Sequence, residues 1–406
     1  MNEQDRKIIN PFNSDKDFAG CSIFGMMNLE GKRFPSKDPV RAITNMHERS
    51  NGLGGGFAVY GIYPDFKDYY AFHIMYLSRD AKEKTDRILA SAFNIIYDEE
   101  LQTKPANVTD PPLVWRYFVQ PKKNRPENQT EDDCVIQAVM RINTETGKAF
   151  VFSSGKDMGV FKGVGYPEDI AEYFSLEDYE GYLWSCHGRF PTNTPGWWGG
   201  AHPFNVLDWT VVHNGELSSY GINRRYLEMY GYKCTLQTDT EVLAYAFDLL
   251  MRKQHLPIEI VSQILASPFW SEVDSAQSKQ GLALKALRQT YGSLLMNGPF
   301  SVIVAHHGEM IGLTDRIKLR PMIAATKGDV LYLSSEEASI RLVSPALDRL
   351  WTPRGGEPVI GRTCRQSQAT SSSFRRSSVM CKRGKTQRGR RIDVGKPNRE
   401  RLLRPP

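Results

Sequence analysis

Four clusters of residues in this chain could do chemistry together. Cys21 opens Cys21-Ser22-Ile23-Phe24-Gly25, and downstream lie His187-Gly188-Arg189-Phe190-Pro191-Thr192-Asn193-Thr194, His213-Asn214-Gly215-Glu216 and Thr238-Asp239-Thr240-Glu241. A thiol attacks an amide as thiolate, and a free cysteine is mostly protonated near neutrality, so it needs a base. If the residues before Cys21 are removed, its new α-amino group, titrating near about 7.7–8.0, serves as that base. The attack creates a tetrahedral oxyanion that needs fixed donors. Asn214 offers a side-chain NH2, and Gly215 lets a backbone N–H approach with no Cβ in the way. Arginine's fork matches a carboxylate, which makes Arg189 the candidate partner of an amino-acid substrate, with Thr192 and Asn193 as supporting donors. Asp239 is placed to take the α-ammonium. These are the parts needed to hold a free amino acid and cleave its side-chain amide.

Each part also has an ordinary explanation. A lone cysteine is often a buried strand residue, and Asn-Gly is a turn signal. Thr238-x-x-Glu241 is a helix capping box, in which Asp239 becomes a first-turn acid complementing the dipole. Cys186 beside His187 is a poor rival pair, because neighbours on a strand point to opposite faces. Trp197, Trp198 and Phe204 are expected in the core rather than in a pocket wall. The run Gly52-Leu53-Gly54-Gly55-Gly56 lacks the lysine of a phosphate loop. It is expected to let backbone turn tightly or pass close to a site.

The elements that must position these groups follow from periodicity. Ser22 to Asn28 reads as a strand, and Asp38-Pro39 starts a helix with Val40, Ile43 and Met46 on one face. Phe57 to Tyr63 and Tyr70 to Leu77 read as strands, and Ala81 to Tyr97 as an amphipathic helix. Cys134 to Ile142 and Lys148 to Ser153 read as a hairpin around Thr144-Glu145-Thr146-Gly147. Leu183 to His187 and Thr210 to His213 are expected as short buried strands, each delivering a motif at its end. Helix is expected from Glu241 to about Lys253 and again between Pro257 and Leu295. Three strands follow, Phe300 to His306, Glu309 to Leu313 and Asp329 to Ser334. Runs of strands mixed with runs of helices argue for a layered α+β fold.

The chain of 406 residues is long enough for a large core, and its apolar stretches fall short of a membrane span. The net charge of +6 is misleading, because 14 Lys/Arg against 2 Asp/Glu fall between Arg362 and Pro406, leaving the remainder at −6. That basic tail, residues 361–406, is too poor in apolar residues to fold alone and is expected to be disordered, contacting polyanions only non-specifically. Six scattered cysteines without a secretory signal read as reduced and cytoplasmic. No CxxC pair or His/Cys cluster suggests a metal. Phe18-Ala19-Gly20-Cys21 looks like a lipoprotein box, but the segment before it has no apolar region, which argues against export.

Taken together and in order, the motifs resemble the class II (N-terminal nucleophile) glutamine amidotransferases, closest to the glutaminase part of glutamate synthase in its stand-alone archaeal-type and N-methylglutamate-synthase-like forms. His47-Glu48-Arg49-Ser50-Asn51-Gly52, Pro203-Phe204, Asn297-Gly298-Pro299-Phe300 and Leu313-Thr314-Asp315-Arg316-x-x-Leu319-Arg320-Pro321 add to the likeness, which covers Cys21 to Ile360. The resemblance implies a four-layer αββα sandwich over residues 21–360, preceded by a leader, residues 1–20. It implies Cys21 as nucleophile, Asn214 and Gly215 as oxyanion hole, and Arg189 and Asp239 as glutamine ligands. It also implies a partner subunit, carrying FMN and an iron–sulfur cluster, that uses the ammonia; this chain would hold no cofactor. The departures are Ser22, where the family usually has glycine, and the altered Arg49-Ser50-Asn51-Gly52. A stand-alone amidohydrolase acting on another amide, and an inactive binding homologue, are the competing readings.

Overall fold

A computed structural model describes residues 20–191, 194–275 and 278–364. Among these residues, two antiparallel sheets stack face to face. The first has seven strands, in the order Arg349–Trp351, Ile323–Lys327, Val330–Ser334, Ser22–Asn28, Leu183–Gly188, Gly55–Tyr60 and Met158–Gly163. The second has five: Phe204–Val206, Trp209–Gly215, Phe300–His306, Glu309–Thr314 and Val359–Arg362. The strand Ser22–Asn28, which Cys21 precedes, lies centrally, paired with Leu183–Gly188 on one side and Val330–Ser334 on the other.

Alternation along the second sheet shows how the layers form. Val212, Ile303, Ala305 and Met310 join the core of the first sheet. Their neighbours Val211, Val302, Val304, Ile311 and Leu313 face the other way, into a second core with the Thr240–Phe247 helix. Successive strand residues point to opposite faces, so both faces of this sheet are buried and its strands read as continuous apolar runs. The helices Lys37–Thr44, Pro167–Tyr173 and Glu337–Val343 cover the outer face of the first sheet through Ala42, Ile43, Ile170 and Ile340. The result is a helix–sheet–sheet–helix sandwich, the four-layer α+β architecture implied by the resemblance. Contact between the sheets is close at Gly25, where a Cβ would sit 2.8 Å from Met310 Sδ.

Two elements differ from the sequence reading. Cys134 to Ile142 is not a strand but part of the helix Glu131–Glu145, started by a capping box between Thr130 and Asp133. Its buried residues Cys134, Val135, Ala138, Val139 and Ile142 recur at helical spacing. The helix expected to Tyr97 ends at Ala92, and Phe93–Glu100 continues as the edge strand of a separate four-stranded sheet with Leu113–Pro121, Tyr70–Tyr76 and Ala149–Ser153. Helix passes directly into strand there with no Gly or Pro between them, so the sequence carries no punctuation at the junction.

The second sheet runs to Arg362, two residues beyond the boundary read from composition. Residues 365–406 of the basic tail and residues 1–19 of the 1–20 leader lie outside the described residues. Cys21, Cys134, Cys186 and Cys234 are free thiols. Among the described residues no helix is long and apolar enough to cross a membrane.

Candidate active site

A cavity of ≈ 350 Å³ opens where the two sheets meet, and Cys21, Arg189, Gly215 and Asp239 all line it. That volume is in the range of small-molecule sites. Four residues drawn from positions 21 to 239 thus share one space. Each is delivered by an element end: Cys21 precedes the central strand, Arg189 follows Leu183–Gly188, Gly215 closes Trp209–Gly215, and Asp239 precedes the Thr240–Phe247 helix.

Cys21 Sγ accepts a hydrogen bond from the Phe190 N–H at 3.2 Å. Burial pushes the thiol pKa up, while that N–H and the charges of Arg189 and Arg320 act to lower it. The Cys21 carbonyl oxygen is clamped by Arg49, which donates from Nε at 3.3 Å and Nη2 at 3.2 Å and pairs through Nη1 with Glu336 at 3.0 Å. The altered Arg49-Ser50-Asn51-Gly52 stretch therefore still brings a guanidinium to Cys21. Ser22 is buried and stands opposite Gly188 in the ladder, and a Cβ on Gly188 would lie 2.5 Å from Ser22 Oγ. The missing side chain at Gly188 makes the room that Ser22 takes.

The glycine run does let backbone pass close to the site. Gly54 has φ +152, and a Cβ there would stand 2.9 Å from Arg189 Cδ. Its carbonyl accepts from the Arg189 N–H at 2.8 Å. The Arg189 guanidinium donates to Thr194 Oγ1 at 2.6 Å and to the Pro195 carbonyl at 3.1 Å. Burial works against its charge, and Cys21 and Asp239 partly offset that penalty. A buried fork without a bidentate carboxylate among these partners is suited to receiving one. Thr192 and Asn193 lie outside the described residues.

Asn214 sits one residue deeper than the cavity wall and is buried. Its Nδ2 donates to Ser335 Oγ at 3.5 Å, the outer limit for such a bond, and Oδ1 finds no partner among the described residues. Ser335 Oγ also accepts from the Ile23 N–H at 3.2 Å, tying Asn214 to the Ser22–Asn28 strand. Gly215 has φ +152, and a Cβ would overlap the Pro299 carbonyl oxygen, so glycine is required there. Asp239 accepts from the Leu217 N–H at 2.7 Å. The capping box read at Thr238 and Glu241 is not formed: Thr238 Oγ1 accepts from the Thr240 N–H at 3.3 Å, while Glu241 accepts from the N–H groups of Thr235 and Leu236 at 3.0 and 2.9 Å. Trp198 and Phe204 are core residues.

Sequence reasoning gave no role to several residues of this site. Arg320 lines the cavity beside Gly20, whose Cβ position lies 3.3 Å from Arg320 Nη1. The turn that carries it is organised by Asp315, which accepts from the N–H groups of Phe300, Ile317 and Leu319 at 3.2, 3.1 and 2.9 Å. His202, His213 and Thr240 also line the cavity. Arg49 and Arg320 stand in the motifs quoted above; the signal was present but their destination was not. Among the described residues, no group of three or more His, Cys, Asp or Glu side chains could hold a metal ion.

The family model for class-II glutamine amidotransferases matches residues 76–347. An uncharacterised protein of Archaeoglobus fulgidus is 60% identical over 353 residues, covering 86% of this chain and 93% of its own. A putative glutamine amidotransferase of Methanothermobacter thermautotrophicus is 29% identical over 48% of this chain and 55% of its own length. The glutamate synthase [NADPH] large chain of Bacillus subtilis is 24% identical over 68% of this chain, which spans 20% of that protein.

Proposed function

Because the chain belongs to the class-II glutamine amidotransferases, we propose that it releases ammonia from L-glutamine at Cys21. The observation that carries this reading is the meeting of Cys21, Arg189, Gly215 and Asp239 in one cavity. Removal of residues 1–20 frees the Cys21 α-amino group. That amine takes the thiol proton, and the thiolate attacks the glutamine side-chain carbonyl carbon. The oxyanion is held by Asn214 Nδ2 and the Gly215 N–H. Its collapse breaks the C–N bond; the α-ammonium returns the proton to the leaving nitrogen, giving ammonia and a γ-glutamyl thioester. Water, deprotonated by the same amine, cleaves the thioester to glutamate and regenerates the thiol. Arg189 holds the substrate carboxylate, supported by Thr192 and Asn193, and Asp239 holds its ammonium.

The ammonia is consumed by a glutamate-synthase-type partner subunit in the cytoplasm, which holds the FMN and iron–sulfur cluster. The likeness to a glutamate synthase large chain over 68% of this chain supports that choice. The first experiment is intact mass and N-terminal sequencing, followed by glutamine-dependent ammonia release. A chain beginning at Cys21 that hydrolyses glutamine, and a Cys21→Ala variant that does not, is the expected result. A chain that keeps its leader and leaves glutamine intact would replace this reading with that of a binding homologue. Co-purification with a flavin- and iron–sulfur-containing subunit tests the partner.

A further inference from the structure

Beneath the cavity a single hydroxyl joins three separate arms of the site. Thr240 Oγ1 lies 2.8 Å from His202 Nε2, 3.0 Å from His213 Nδ1 and 3.3 Å from Asp239 Oδ1. A threonine hydroxyl has one proton and two lone pairs. The Asp239 carboxylate only accepts, so the Thr240 proton goes to it, and both histidines must donate. His213 is thereby fixed with its proton on Nδ1 and a bare Nε2, and His202 with its proton on Nε2. The opposite assignment would leave the His213 Nε2–H as a buried donor, since Nε2 has no partner among the described residues. His187 continues the chain, with Nε2 donating to the His213 carbonyl at 2.9 Å and its ring stacked on His202 at 3.9 Å between centroids. All three rings are buried, and burial pushes each pKa down, so neutral imidazoles are the stable form.

We propose that Thr240 is a positioning residue of the glutamine site, whose hydroxyl locks His213 in its Nδ1–H tautomer. It thereby holds the Asp239 acid, the Asn214–Gly215 corner and the His202 loop in one register. His213 immediately precedes the corner, and a Cβ on Gly215 would lie 2.9 Å from His213 Nε2. The inference rests on the reading of the cavity as a glutamine site for its kinetic consequences, but not for its tautomer.

The test uses the processed full chain, with 15N-labelled histidine and long-range proton–nitrogen correlation to read each ring. Besides His73, whose Nδ1 donates to the Val160 carbonyl at 2.9 Å, the His213 ring is expected in the Nδ1–H form, its signal absent in His213→Gln, retained in Thr240→Ser and lost in Thr240→Val. KM for glutamine should rise about tenfold in Thr240→Val, with a smaller fall in kcat, and Thr240→Ser should restore it to within about threefold. A His213 ring with its proton on Nε2 in the unmodified protein overturns the proposal, whether or not Thr240→Val folds. So does a Thr240→Val variant that keeps both tautomer and KM. If no variant or parent hydrolyses glutamine while the tautomer pattern holds, the glutaminase reading fails and the lock stands.

Discussion

Asn214 holds its side-chain amine at the far limit of a bond to Ser335, 3.5 Å, so most of its donor capacity is unspent in the resting site. A donor kept ready in a buried place contributes most where negative charge develops. Replacing Asn214 by Ala should therefore lower kcat for glutamine by about 10²–10³-fold, with KM changed far less, as steady-state kinetics would show. An equal loss through KM alone would mean that Asn214 binds the ground state instead. The same site shows why Ser22 is accommodated beside Cys21, since the cross-strand residue Gly188 leaves the space it fills.

One strand supports the loop that carries His202. Lys162, buried on Met158–Gly163, donates from Nζ to the carbonyls of Gly199 at 3.0 Å and Ala201 at 2.9 Å and lies over the Phe204 ring. Lys162→Met leaves both carbonyls without that donor, at a cost of about 1–3 kcal/mol each, and should raise KM for glutamine as the loop loosens. Burial pushes the Lys162 pKa down to about 7, whereas an unfolded lysine keeps its proton to about 10.4. Between these values the unfolded chain binds more protons, so this group makes stability rise with pH. Urea denaturation at about pH 7 and pH 9.5 should show the parent gaining on Lys162→Met at the higher pH. No relative gain would mean that the amine stays charged. Neither Lys162 nor Thr240 was legible in the sequence, because each acts where residues near 162, 200, 213 and 240 converge. Cys21, Arg189, Gly215 and Asp239 were legible because each ends or begins an element next to a recognisable turn or strand. The helix Glu131–Glu145 reads as a strand in the sequence because Val135, Ile136, Val139 and Ile142 are β-branched, and the Thr130–Asp133 capping box that starts it is the signal which that reading leaves unused.

At the scale of the molecule, the last strand closes the second sheet and fixes where the folded unit can be cut. Glu309 is 3% exposed and is shared by His306 at 2.6 Å and Arg362 at 2.6 Å. Just beyond, the Thr363 N–H donates to the Gly308 carbonyl at 2.8 Å and the Cys364 N–H to the Leu29 carbonyl at 3.0 Å. Composition places the change of character at residue 361, but these bonds carry the fold through Cys364. A truncation after Cys364 should keep Tm and glutamine turnover close to those of the full chain. A truncation after Gly361 removes Arg362 from a buried carboxylate that His306 still pairs, so the cost lies below the ~3–5 kcal/mol of a buried charge left wholly unpaired. It should lower Tm by several degrees while leaving KM for glutamine unchanged in the fraction that remains folded, because Glu309 lies at the far end of its strand from the Phe300 side of the site. Equal melting temperatures for the two truncations would show that Arg362 contributes nothing to the sheet.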